Sequence, residues 1–124
     1  MNCISITGNL VRDPELRKTN SGTPVAGCSV AVRRIIKGKD NQDTDFIDVV
    51  AWDKRAEYLC QYGHKGERIE VVGRLESRNY IDKDNKTIKV WEVVADNITC
   101  FGQKREEEEP KKPTKQEEID GLPF

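Results

Sequence analysis

Phe46 and Trp52 lie six residues apart in the stretch TDFIDVVAWD, and Tyr80 follows Arg74 and Arg78 at alternate positions. In an extended strand, side chains alternate across the backbone. Phe46, Asp48, Val50 and Trp52 therefore point one way, and Ile47, Val49 and Ala51 the other. At strand rise the two rings stand ~20 Å apart. Flat rings on a strand either fill a core or form a platform on which nucleic-acid bases stack beside phosphate-binding cations. For Phe46 and Trp52 the pattern weighs these two readings evenly. Tyr80, between a charged run and a turn, reads as exposed. Arg33, Arg34 and Lys37 on one predicted arm, and Lys83, Lys86 and Lys89 on another, supply positive charge. Trp91 shares a face with Lys89 and Val93 and suits core packing at least as well as a surface.

Other chemistry is poorly supplied. His64 is the single histidine and falls between Gly63 and Lys65, which reads as a solvated loop. The sequence has no Gly-rich phosphate cradle and no closely spaced ligand pair for a metal, so no metal and no cofactor is expected. Asp45 and Asp48 are the one carboxylate pair worth weighing. Holding a divalent ion together, they would make the alternative reading a nuclease. The cysteines Cys3, Cys28, Cys60 and Cys100 lie too far apart in sequence for a zinc site. Each falls within a predicted strand or helix and reads as a small apolar packing residue.

The elements that would position these residues can be read in order. Cys3 to Val11 alternates as a first strand, with Gly8 as a bulge or bend. Arg12 to Pro24 reads as connecting chain. Val25 to about Lys37 is a second strand that turns basic and leaves the body as an arm, and TDFIDVVAW returns from it. Asp53 is a good N-cap for a short helix to Tyr62, and Gly63 a helix-ending residue. Arg68 to Arg78 alternates most clearly. It puts Ile69, Val71 and Leu75 on one face, Arg68, Arg74, Glu76 and Arg78 on the other, and Gly73 where a barrel bends. Asp82-Lys83-Asp84-Asn85 is a hairpin tip, and Thr87 to Cys100 the last strand. Five strands with one helix between the third and fourth form the organisation of an OB-fold barrel, an all-β class; an SH3-like or other small barrel is the alternative.

The chain of 124 residues fits one domain and a tail. Residues 1–102 carry sixteen Lys and Arg against fifteen Asp and Glu, whereas 103–124 carry five against seven. The domain, 1–102, is near neutral, so binding to nucleic acid would need its basic groups gathered on one face. Residues 103–116 are charged and proline-broken, with no core-forming side chain, and read as a disordered linker. Residues 117–124 regain apolar groups. Ile119, Asp120, Gly121, Leu122, Pro123 and Phe124 suit a partner pocket that captures a ring and a carboxylate. The N-terminus shows no signal-peptide pattern and no apolar run is long enough to span a membrane, so a cytoplasmic protein is the default.

The segments ITGNLVRDPELR, TPVAGCSVAV, TDFIDVVAWDKRAEYLCQYGHKGERIEVVGRLESRNY, WEVVADNI and the final IDGLPF together resemble the bacterial-type single-stranded-DNA-binding protein family. The resemblance implies an OB fold assembled as a homotetramer in the cytoplasm, at the nucleoid. It implies binding of single-stranded DNA without sequence preference in replication, recombination and repair, and recruitment of partner enzymes through the C-terminal tip. It implies no enzymatic activity. Family stacking positions fall at Phe46, Trp52 and Tyr80, and a fourth at Ile36, which is not aromatic here. Family basic positions fall at Lys54, Lys65 and Arg78. Two more fall at Asp48 and Glu76, with Arg74 as a nearby charge. Asp48, between two stacking rings, is expected to be held by a neighbouring Arg or Lys.

Overall fold

The computed structural model describes residues 1–36, 38, 39 and 41–103. The first strand, β1 (Ile4–Leu10), turns Ile4, Ile6 and Leu10 inward and Ser5, Thr7 and Asn9 outward. A second, β2 (Glu15–Lys18), is short and wholly exposed. Next come β3 (Pro24–Arg33) and β4 (Thr44–Trp52), an antiparallel pair in register from Val25 opposite Trp52 to Arg33 opposite Thr44. The helix α1 (Lys54–Tyr62) follows, and then the long antiparallel pair β5 (Arg68–Ile81) and β6 (Thr87–Cys100).

These strands close into a ring. β1 pairs with β5 along Ile4–Asn9 and with β3 at Asn9 and Leu10. β4 meets β6 in parallel, Val49 opposite Val93 and Val50 opposite Val94. Around the ring the order is β1-β5-β6-β4-β3 and back to β1. That is the expected five-stranded barrel, with the helix between its third and fourth strands. The core is filled by residues that alternation turns inward, including Val30, Val49, Val71 and Val93, and by Ala56 and Leu59 of α1. All six are almost fully buried.

Several local expectations are corrected. The stretch 12–24 is not plain connection, because β2 pairs Glu15–Lys18 with Pro24–Gly27. No side chain of this strand enters the core, so it carries no apolar alternation to announce it. β3 stops at Arg33, and the arm beyond it closes through Arg34 N–H donating to the Asp43 carbonyl at 2.7 Å. Gly8 makes no bulge: its pairing with Ile69 sits in an unbroken register. A Cβ there would run into the Ala31 carbonyl of β3, so the glycine permits the close approach that shuts the ring. The register does break at Val72/Gly73, where the bend was expected. Leu75, beyond that bend, is partly exposed rather than buried.

Asp53 begins the helix, but its side chain caps nothing. Its N–H is held by the Pro24 carbonyl, its φ is 59°, and its carbonyl accepts from the N–H groups of Ala56 and Glu57. Gly63 is extended, with φ −85°, and so is not the left-handed C′ residue that usually follows a helix. It is glycine for space, since a Cβ would press on Leu10 and Pro14. Cys28 is buried, Cys60 and Cys100 are partly so, but Cys3 precedes β1 and is exposed. Burial is the main cause that pushes the Cys28 thiol up to about 12 and the Cys100 thiol to about 11.

Two outcomes follow for stability and reactivity. Gly8→Ala should destabilise the fold by ~1–3 kcal/mol in urea unfolding, whereas Gly27→Ala, where a Cβ meets open space, should be close to neutral. Because the thiolate is the reacting form, iodoacetamide should label Cys3 in the folded protein and reach Cys28 and Cys100 only in denaturant, as read by peptide mass mapping.

Candidate nucleic-acid interface

Closure of the ring decides which side of β4 faces water. Ile47, Val49 and Ala51 turn into the barrel, so Phe46, Asp48, Val50 and Trp52 must turn out. Phe46 is 67% exposed and Trp52 40%. The even balance between core and platform thus resolves to surface for both. Trp91, at 55%, is also a surface residue, with the Lys89 ammonium 5.8 Å from its ring centre.

The outward faces of neighbouring strands line up. Gly27 of β3 lies opposite Val50 of β4, Val50 opposite Val94 of β6, and Val94 opposite Arg74 of β5. Four strands at about 4.8 Å spacing make a face about 14 Å wide. Ala31 and Arg33 flank Phe46 on the same side, and Val25 lies opposite Trp52. Along β5 the face continues through Glu76, Arg78 and Tyr80, the last 46% exposed and opposite Ile88. Phe46, Trp52, Arg33, Arg74, Arg78 and Tyr80 therefore share one outer surface. Lys54 opens α1 two residues after Trp52 and is exposed at its border. Lys65 sits instead in the α1–β5 connection, where its N–H donates to Asp13. Ile36 is strongly exposed on the β3–β4 arm. Lys37 and the tip residues Ile119–Phe124 lie outside the described residues.

The arginines of this region are paired. Arg74 Nε donates to Glu76 at 2.6 Å, and its Nη1 to Asp96 at 2.8 Å. These bonds, that to Glu76 first, raise its pKa further. Arg78 Nε donates to Glu92 at 3.2 Å. Arg34 grips both oxygens of Asp45 at 2.8 Å, and this hydrogen bonding holds the Asp45 carboxyl below its ordinary range. Arg33 reaches Asp43 only at 4.0 Å.

Two expectations fail here. Asp48 makes no hydrogen bond or ion pair among the described residues; the arginines near it by register hold other carboxylates. The nuclease alternative also fails, because Asp45 and Asp48 alternate to opposite sides of β4 and Asp45 is engaged by Arg34. The two do not converge on an ion. Sequence reasoning also passed over the partners Glu92 and Asp96, although alternation along β6 does put Glu92 with Val90 and Val94.

A closed ring in this strand order defines an OB-type barrel, and this one carries three exposed rings among arginines on one outer face. A model described as the single-strand binding protein family matches residues 1–101, and the chain belongs to that family. It is 41% identical over 99 residues to a single-stranded DNA-binding protein of Oceanobacillus iheyensis, covering 79% of this chain and 62% of the relative. It is 40% identical over 106 residues to single-stranded DNA-binding protein 3 of Listeria innocua, covering 85% and 66%. With single-stranded DNA-binding protein 1 of Staphylococcus aureus it shares 41% over 99 residues, covering 79% and 64%. The match thus spans less than two thirds of each relative's length. These relatives are named for binding DNA and not for an enzymatic reaction.

The Arg34–Asp45 pair carries a pH dependence. A carboxyl whose folded pKa is depressed adds stability above its unfolded pKa and loses it as pH falls through the folded value. Hydrogen exchange at the Arg34 amide, corrected for intrinsic rate, should therefore quicken on acidification below the ordinary carboxylate range. Asp45→Asn should show faster exchange already at neutral pH and little further change.

Proposed function

We propose that this chain binds single-stranded DNA with little dependence on sequence, and that it does so on the outer face of β3, β4, β5 and β6. The observation that carries this reading is the exposure of Phe46, Trp52 and Tyr80 on one arginine-bearing surface. A globular protein gains nothing in its own core from rings left in water, whereas every base offers a flat face to stack on them. Arg33, Arg74, Arg78 and Lys54 border the path with Ile36 of the arm, whereas Arg34 is turned with Asp45 to the other side of β4, and Lys65 stands apart in the α1–β5 connection. The family membership and the names of the relatives support the same polymer.

The finer reading follows the family resemblance. The protein coats strands exposed in replication, recombination and repair, in the cytoplasm at the nucleoid, as a homotetramer. The half-exposed Leu75 and Trp91 and the more exposed Ile81, on the side of the β5–β6 arm away from the DNA face, supply apolar area for subunit contact. Residues 1–102 form the DNA-binding domain and 103–116 a tether. The segment 117–124, through Ile119–Phe124, recruits replication and repair proteins. No helix of the described residues is long and apolar enough to cross a membrane.

Base stacking is worth ~1–3 kcal/mol per base. Trp52→Ala and Tyr80→Ala should each weaken binding to an oligo-dT about fivefold to a hundredfold at fixed salt, measured by fluorescence anisotropy. Unchanged affinity in both would place the site elsewhere. Removing Leu122–Phe124 should leave that affinity intact or slightly raised and abolish capture of repair proteins; retained capture would move the contact to the barrel.

A further inference from the structure

Asp48 stands alone among the carboxylates of the outer face. Glu76 is held by Arg74 and Glu92 by Arg78, while Asp48 has no cation within ion-pair reach among the described residues. It is exposed and faces outward between Phe46 and Trp52; its partner on β3 is the uncharged Ser29, and on the other side the parallel register with β6 runs back from Val93 toward Glu92, which Arg78 holds. Phe46 lies two residues before it and Val50 two after, so a base on the Phe46 ring has its edge ~7 Å or less from this carboxylate. A carboxylate repels phosphate, so a strand on this face runs its backbone elsewhere and turns base edges toward Asp48. An ionised carboxylate is purely an acceptor. Cytosine offers it an exocyclic amino group, adenine and guanine likewise. Thymine has only a ring imino hydrogen and two carbonyl oxygens that the carboxylate repels.

We propose that Asp48 is a base-reading residue, which accepts a hydrogen bond from the exocyclic amino group of a stacked base and so favours cytosine over thymine on this face. The inference rests on the single-strand-binding reading above and adds to it a preference that stacking alone does not produce. It is the same pairing by which acidic side chains read the cytosine amino group in duplex DNA.

The test uses the full chain with oligo-dC and oligo-dT of equal length, at fixed salt and pH 7.5, by equilibrium titration. In Asp48→Ala the dC-to-dT affinity ratio should fall roughly two- to tenfold, the worth of one hydrogen bond. An oligomer of N4,N4-dimethyl-deoxycytidine, which has no amino hydrogens, should lose the same factor relative to dC with the unaltered protein and none with Asp48→Ala. A ratio that is equal in the two proteins, or an unaltered protein indifferent to the dimethyl groups, overturns the assignment of Asp48. Failure of the unaltered protein to bind either oligomer would instead overturn the single-strand-binding reading itself.

Discussion

Everything on the outer face depends on a close crossing of two backbones inside the barrel. β1 serves two partners: its length pairs with β5, and its last two residues pair with β3. For β3 to reach it, the Ala31 carbonyl must lie where a Cβ on residue 8 would be. Glycine at that position is therefore a condition of closure, not a break in the strand. A second close approach, between Gly73 and the Val94–Ala95 backbone, lets β5 bend around the same core. Each contact is local, yet together they turn five ribbons into a ring with a defined inside. A ring has few free strand edges to protect, and its two faces differ absolutely: one is dry, and the other meets water.

That difference is what places the rings. β4 has six apolar or aromatic residues on its inward and outward sides, Phe46, Ile47, Val49, Val50, Ala51 and Trp52, and nothing in its own composition says which side is dry. Once the parallel pairing with β6 sets Val49 beside Val93, the smaller side chains must go in, because the interior of so narrow a barrel has room for Val and Ala but not for two large aromatics. Phe46 and Trp52 are outside as a consequence of volume as well as of alternation. Tyr80 is outside for a different reason. It lies on the part of β5 that runs past the barrel as an arm, where neither face is covered by the core.

The sequence made these features legible to unequal degrees. Period-two alternation marked the strands of the ring and which residues of β4 and of β5 share a face, but not which face of β4 is dry, and it put Leu75 with the core although the structure leaves it partly exposed. It was silent on β2, because Glu15–Lys18 contributes backbone hydrogen bonds and no side chain to the core. Asp53 carries a cap-forming side chain, but the strand end fixes its backbone at positive φ, and tertiary pairing with Pro24 overrides the local preference. Charge partners were the least legible. Asp45 and Asp48 look equivalent on paper, three positions apart; the structure gives one a two-pronged arginine and the other no cation within ion-pair reach among the described residues. Which carboxylate an arginine meets depends on cross-strand register and on the shape of the arm, and neither is written in the spacing of charges.

The pairing of Arg74 and Arg78 bears on how this face would hold a nucleic acid. Both arginines are about half exposed, and exposed ion pairs are worth about 0–1 kcal/mol. A phosphate can displace Glu76 at little cost, and Glu92, whose side chain is 15% exposed, at more, but the displaced carboxylate then remains beside it. The gain in charge neutralisation per phosphate is smaller than for a free arginine, and so is the number of counterions released. A surface built this way draws little on the long-range attraction that a basic patch supplies. Under the proposed function it would lean instead on contacts at short range, ring to base and acceptor to donor, which salt screens little. The near balance of charge across residues 1–102 points in the same direction, for under the proposed function it would leave stacking on Phe46, Trp52 and Tyr80 as the main attraction of the face.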